Sequence, residues 1–213
     1  MTRLLITRPQ HDKGTYYLHE WAKEVIGSAE ARGWTVDKSD GPKATRSEVQ
    51  SKLEKNPADF VFFNGHGNES EMCGHNFETI MDESSSYLLK DTITFTRACN
   101  CVVKLGKSAV GKGCKSFIGY AGKFWFPRIN KFESTPLEDV AARPVLEVSN
   151  QIPLSIIKNH TTSEAVDSAR ALTVKYISKL ILSKEPYDRA ALKALSQNDD
   201  SLAYEGNGNA KIG

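Results

Sequence analysis

Two short motifs carry side chains able to do covalent chemistry. An imidazole sits between glycines in Asn64-Gly65-His66-Gly67, and a thiol closes Arg97-Ala98-Cys99. Each follows an apolar run, Asp59-Phe-Val-Phe-Phe63 before the histidine and Thr92-Ile-Thr-Phe-Thr-Arg97 before the cysteine. Runs of this kind read as buried parallel strands. Neighbouring strands lie ~4.8 Å apart, and ligands of open parallel sheets bind outside the carboxyl ends of the strands. His66 and Cys99 on adjacent ends therefore face one substrate as base and nucleophile. A thiol of ordinary pKa near 8.5 is mostly protonated at neutral pH, and a nearby imidazole together with a helix N-terminus favours the thiolate. Its attack on a peptide carbonyl builds an oxyanion that needs preorganised donors. The Gly67 and Cys99 amides are the candidates for that oxyanion hole, and glycine at 65 and 67 lets the backbone turn sharply and approach a substrate closely.

The elements that must position this pair alternate between strand and helix. Residues 3–7 read as a strand, 16–32 as an amphipathic helix, 34–36 as a strand, and 45–55 as a helix with a capping-type start. The strands at 59–63 and 92–97 follow, with 68–86 between them as loop carrying one helical turn near 79–81. A short helix over 102–110 precedes a strand at 115–120. Residues 123–153 lose all period and read as a long loop with the aromatics Phe124, Trp125 and Phe126. The strongest helical stripe runs over 162–183, a shorter helix starts at Pro186 and reaches about Leu195, and 198–213 reads as a flexible C-terminal tail. The fold class is α/β, a mostly parallel sheet flanked by helices, in one domain over 1–197.

Composition narrows the classes further. With 213 residues, 39% hydrophobic and 25% charged, the chain can bury a core and is not disordered. A net charge of +2 from 28 basic and 26 acidic residues, spread without a basic block, argues against nucleic acid as a partner. No apolar run approaches the ~18 residues of a membrane span, and the N-terminus lacks a signal-peptide core, so a soluble, cytoplasmic protein is expected. The four cysteines, Cys73, Cys99, Cys101 and Cys114, are read as thiols in that compartment. No cofactor is required by the chemistry.

The histidine block Phe60-Val-Phe-Phe-Asn-Gly-His66-Gly67, the cysteine block Ile93-Thr-Phe-Thr-Arg-Ala-Cys99, their order, and the following Lys115-Ser-Phe-Ile-Gly119 strand resemble the caspase-like cysteine peptidases over residues 1 to 125. The resemblance implies a three-layer caspase-like fold and a peptidase in which Cys99 is nucleophile, His66 general base and acid, and the Gly67 and Cys99 amides the oxyanion hole. True caspases carry Gln before Ala-Cys, Gly two after the Cys, and the His about 50 residues upstream. Here those places hold Arg97, Cys101 and a gap of 33 residues, which looks more like gingipain or CHAT-type bacterial members. The resemblance further implies that Arg97, two before the nucleophile, and Arg8, after the first strand, line the substrate pocket, so cleavage after Asp or Glu is expected. Small members of this kind look like bacterial effectors, which implies an activating protein partner besides the peptide substrate.

Other readings compete. Cys73-Gly-His75 with Cys99-Asn-Cys101 offers tetrahedral zinc ligands, although each pair is separated by one residue where structural sites use two to four. A non-catalytic caspase-like module that binds a protein partner, or a flavodoxin-like or zinc-binding regulatory domain, fits the same strand pattern.

Overall fold

The computed structural model describes residues 1–213. Its main sheet has six strands in the order β2-β1-β3-β7-β8-β9. These are β1 Arg3–Arg8, β2 Thr35–Asp40, β3 Phe60–Asn64, β7 Ile93–Arg97, β8 Ser116–Tyr120 and β9 Leu202–Gly206. All pair in parallel except β9, which runs antiparallel along β8. Every residue of β3, β7 and β8 is buried, as expected of strands covered on both faces.

Alternation along the strands divides the core in two. Phe60 and Phe62 pack into one apolar cluster, while Val61 and Phe63 pack into another on the opposite face. The first cluster is roofed by four helices, α1 Lys13–Ala31, α4 Arg143–Ile157, α5 Thr162–Leu180 and α6 Pro186–Ser201. The second lies under α2 Arg46–Lys55, α3 Lys107–Gly111 and a small antiparallel sheet of β4 His66–Gly67, β5 Glu71–Cys73 and β6 Thr79–Asp82. The result is the three-layer, mostly parallel α/β architecture that the strand pattern predicts.

Three stretches differ from the sequence reading. The long loop expected over 123–153 contains the first part of α4. Pro144 falls in its first turn, where the missing N–H costs nothing, and Pro153 lies inside it. The helix persists because Val145, Leu146, Ile152, Ile156 and Ile157 bury one stripe in the core. The helical turn expected near 79–81 is strand β6, whose pairing with β5 supplies an order that its own pattern does not announce. Finally, the flexible tail expected over 198–213 is built into the domain. α6 continues to Ser201, β9 closes the sheet edge, and Ala210 and Ile212 enter the core. Short, polar, Gly- and Asn-rich segments conceal such tertiary pairing. No helix is long and apolar enough to cross a membrane.

Candidate active site

The order of the sheet reverses between β1 and β3, so β1 leads outward to β2 and the chain returns to lay down β3 on the other side. A crevice opens at such a switch point, outside the carboxyl ends of the strands. Register then brings the two motifs together. Asn64 and Arg97, the last residues of β3 and β7, are directly paired, and His66 and Cys99 each follow by two residues. Both side chains line one cleft of about 170 Å³, with Thr15, Phe124, Phe126 and Arg128 among its walls.

Local backbone requirements explain the residues around the pair. Gly65 has φ +152°, and a Cβ there would collide with the Cys73 carbonyl oxygen. A Cβ on Gly67 would stand 2.5 Å from Cys101 Sγ and 2.9 Å from Glu71 O. On the cysteine side, Asn100 adopts the left-handed region at φ 59°, which asparagine tolerates, and its N–H donates to Gly122 O at 2.9 Å. The strand therefore ends in a sharp turn that leaves Cys99 Sγ at the cleft, 3.7 Å from Phe124 O. The Cys99 amide N–H makes no hydrogen bond within the protein. Asn68 N–H donates to Glu71 O at 3.0 Å, so in the antiparallel alternation the Gly67–Met72 pair is a non-hydrogen-bonded one and the Gly67 N–H points away from β5.

Cys101 is set apart from Cys99. Its thiol is buried 3.0 Å from Met72 Sδ, and burial pushes its pKa well above the ordinary thiol value. Of the two thiols that flank Asn100, Cys99 is the one open to the cleft.

Sequence reasoning missed Asp12. It lies in the turn after β1, where its Oδ1 accepts the Thr15 N–H at 2.7 Å as the N-cap of α1, and its Oδ2 lies 2.6 Å from His66 Nε2. Burial alone would raise its pKa, but the hydrogen bonds from the Thr15 N–H and from His66 prevail and lower it. The legible signal was an aspartate three residues before a threonine at the start of an amphipathic helix, just past a strand end. With Nε2 committed to Asp12, Nδ1 is the nitrogen of His66 left to accept a proton.

The two arginines expected in the pocket are elsewhere. Arg97 is fully buried inside the domain, where Nε donates to Asn64 Oδ1 at 2.7 Å, Nη1 donates to Asn150 Oδ1 at 3.0 Å, and the guanidinium lies 4.7 Å from the Phe62 ring centroid. Desolvation draws its pKa down to about 9. The side chain of a strand's last residue goes to one face or the other, and this one goes to the core face beneath α4. Arg8 forms a two-pronged pair with Asp40, Nε to Oδ1 at 2.8 Å and Nη2 to Oδ2 at 2.5 Å, outside the cleft walls. The arginine that does line the cleft is Arg128. No three of the ligand atoms of Cys73, His75, Cys99 and Cys101 converge as a zinc site requires.

A mostly parallel sheet between two helical layers, with its cleft at the ends of β3 and β7, defines a caspase-like fold. Among solved structures it is similar to the crystal structure of the Arg-specific cysteine proteinase gingipain R (RgpB), with 12% identity and a TM-score of 0.63 over 99% of this chain and 47% of that one. It is likewise similar to the complex of Porphyromonas gingivalis RgpB pro- and mature domains, with 10% identity and a TM-score of 0.62 over 99% of this chain and 48% of that one. At such identities the likeness is one of fold, and this chain spans just under half the length of each. The likeness supports the caspase-like fold and does not support a CHAT-type placement. No family model matches the chain, and no curated protein matches it.

Proposed function

We propose that the protein is a cysteine endopeptidase. The observation that carries the reading is the shared cleft of His66 and Cys99, in which Asp12 holds His66 Nε2 at 2.6 Å. His66 Nδ1 takes the Cys99 proton, and the thiolate attacks the scissile carbonyl carbon. The Cys99 and Gly67 amides stabilise the resulting oxyanion. Collapse breaks the C–N bond, His66 returns its proton to the departing amine, and an acyl-enzyme remains. Water, deprotonated by His66, then releases the acid and restores the thiol. Asp12 keeps the imidazole in the tautomer this cycle needs and stabilises the imidazolium between the two transfers.

Specificity follows from the cleft's charge. Arg128 is among its walls, and the carboxylate beside them, Asp12, is already engaged by His66 and the Thr15 N–H, so an acidic side chain finds a free counter-ion there. Cleavage after Asp or Glu is proposed on that ground, with Arg128 in the role the sequence gave to Arg97 and Arg8. A protein partner belongs to the same proposal, in loose accord with a neighbour that is a complex of pro- and mature domains, and its activating role is proposed with it. The four free cysteines fit a reducing compartment, and a cytoplasmic location is proposed with them.

The deciding experiment incubates the purified chain with a fluorogenic peptide library and with a thiol-directed irreversible peptidase inhibitor. Turnover, together with inhibitor attached to Cys99 by peptide mapping, supports the reading. A Cys99→Ala variant that folds with the wild-type circular dichroism spectrum and still cleaves overturns it.

A further inference from the structure

Beside the cleft, His11 is unsatisfied at both ring nitrogens, and the neighbouring His75 at Nδ1. The His11 side chain is 6% exposed, yet neither ring nitrogen has a hydrogen-bond partner. Buried polar groups are nearly always partnered, so this exception calls for a physical account. The ring is held edge-on against Phe77 and His75, with centroids 4.8 and 5.4 Å away. Its Nε2 stands 3.6 Å from Asp12 Oδ2, too far for a hydrogen bond. On the same carboxylate oxygen lies His66 Nε2, at 2.6 Å. One ligand atom from each of His11, Asp12 and His66 lies within 4.8 Å of the other two, and no other group of three His, Cys, Asp or Glu residues converges in this way.

These spacings suit a metal ion. In a tetrahedral zinc site with bonds of about 2.0–2.2 Å to imidazole nitrogen and carboxylate oxygen, ligand atoms stand about 3.3 Å apart. The 2.6 and 3.6 Å separations about Asp12 Oδ2 bracket that value. We propose that His11, Asp12 and His66 form a zinc-binding site that switches the peptidase off, with water as the fourth ligand.

The switch acts through tautomer chemistry and rests on the reading of His66 as catalytic base. Zinc takes the lone pair of Nε2, so the proton held there against Asp12 leaves, and the neutral ring carries its proton on Nδ1 instead. Nδ1 then has no lone pair to receive the Cys99 proton, and Asp12 is drawn into the metal's coordination. His11 has no part in the cycle itself; it completes the ligand set.

The test begins with Cys99→Ala protein, so that binding is measured without catalysis and without that thiolate as a ligand. Titration with Co²⁺ as a spectroscopic probe and with Zn²⁺ against a chromophoric chelator should show one saturable site. The cobalt spectrum should show d–d bands of a nitrogen and oxygen site without a thiolate charge-transfer band. His11→Phe keeps the packing against Phe77 and should weaken zinc binding tenfold or more. In otherwise wild-type protein, zinc should inhibit peptide cleavage, chelator should restore it, and His11→Phe should raise the half-inhibiting zinc concentration by the same factor. No saturable binding, a thiolate band, or unchanged affinity in folded His11→Phe protein overturns the site. Binding without inhibition of an active enzyme overturns the switch. Should the chain cleave nothing, the peptidase reading falls, while the binding measurements still decide the site.

Discussion

The carboxylate of Asp12 binds His66 Nε2 at 2.6 Å with one oxygen while the other caps α1 through the Thr15 N–H. The imidazole is thus oriented by a residue whose own position is fixed by the start of a buried helix. Asp12→Asn keeps a good N-cap but removes the charge and lets the imidazole take the other tautomer. A fall in kcat/KM of about 10²–10⁴ is expected, with stability changed by less than about 1 kcal/mol. Steady-state kinetics and thermal melts on the same preparation check both. Near-wild-type kcat/KM would remove Asp12 from the mechanism.

Cys99 should be the thiol that reacts. Burial raises the pKa of Cys73, Cys101 and Cys114, and Cys101 and Cys114 are buried. Brief iodoacetamide treatment near neutral pH should alkylate Cys99 first, as read by peptide mass spectrometry. Cys101→Ala should retain most activity and lose roughly 1–2 kcal/mol of stability for the small void it leaves.

The central fold was legible because its information is local. Runs such as Phe60 to Phe63 and Ile93 to Arg97 are buried on both faces, so apolar content alone marks them. Their common rim followed from strand adjacency, which placed His66 and Cys99 together. What escaped depends on contacts between distant segments. Asp12 meets His66 across 54 positions, and the antiparallel return of β9 to β8 joins Leu202 to Tyr120. Arg97 was misplaced because the pocket reading points it out of the strand end, whereas alternation puts it on the same face as Ile93 and Phe95, where Asn64 of β3 and Asn150 of α4 receive it.

Gly67 should not accept a side chain. The 2.5 Å approach of an added Cβ to Cys101 Sγ predicts that Gly67→Ala costs about 1–3 kcal/mol and lowers activity by shifting the β4 backbone. Much of the crowding comes from one sulfur atom, so Gly67→Ala combined with Cys101→Ala should be more stable than the sum of the two single effects by about 0.5 kcal/mol or more. Chemical denaturation of the four proteins closes the cycle. Strict additivity would show that the Glu71 carbonyl oxygen, at 2.9 Å, is the limiting contact instead.

Asp82 sets part of the acid limit of stability. Burial opposes its ionisation, but hydrogen bonds from the Ser84 hydroxyl, Arg46, and the Ser85 N–H and hydroxyl prevail and hold its pKa far below the usual carboxylate range. A carboxyl lowered in the folded state binds fewer protons there than in the unfolded chain, so its contribution is complete above the unfolded value and disappears as pH falls through the folded one. Asp82→Asn should therefore lower stability at neutral pH and make the loss between pH 4 and pH 2 shallower than in the wild type. Parallel slopes in urea denaturation across that window would contradict this.

Arg128 and Arg97 separate specificity from structure. Arg128 lines the cleft and Arg97 is sealed within the domain. Loss of a charge-assisted pair between a guanidinium and a substrate carboxylate costs about 1.5–3 kcal/mol, so Arg128→Ala should lower kcat/KM for peptides with Asp or Glu on the acyl side roughly 10- to 150-fold. Peptides with a neutral residue there should change little, and thermal stability should hold. Arg97→Ala should do the reverse. It strands the amide oxygens of Asn64 and Asn150 and opens a cavity beside Phe62, so a loss of about 2–5 kcal/mol is expected. Whatever fraction stays folded should keep the wild-type ratio of kcat/KM between acidic and neutral peptides. A changed ratio in Arg97→Ala with none in Arg128→Ala would return the pocket to the residue beside the nucleophile and require the sheet end to open on substrate binding.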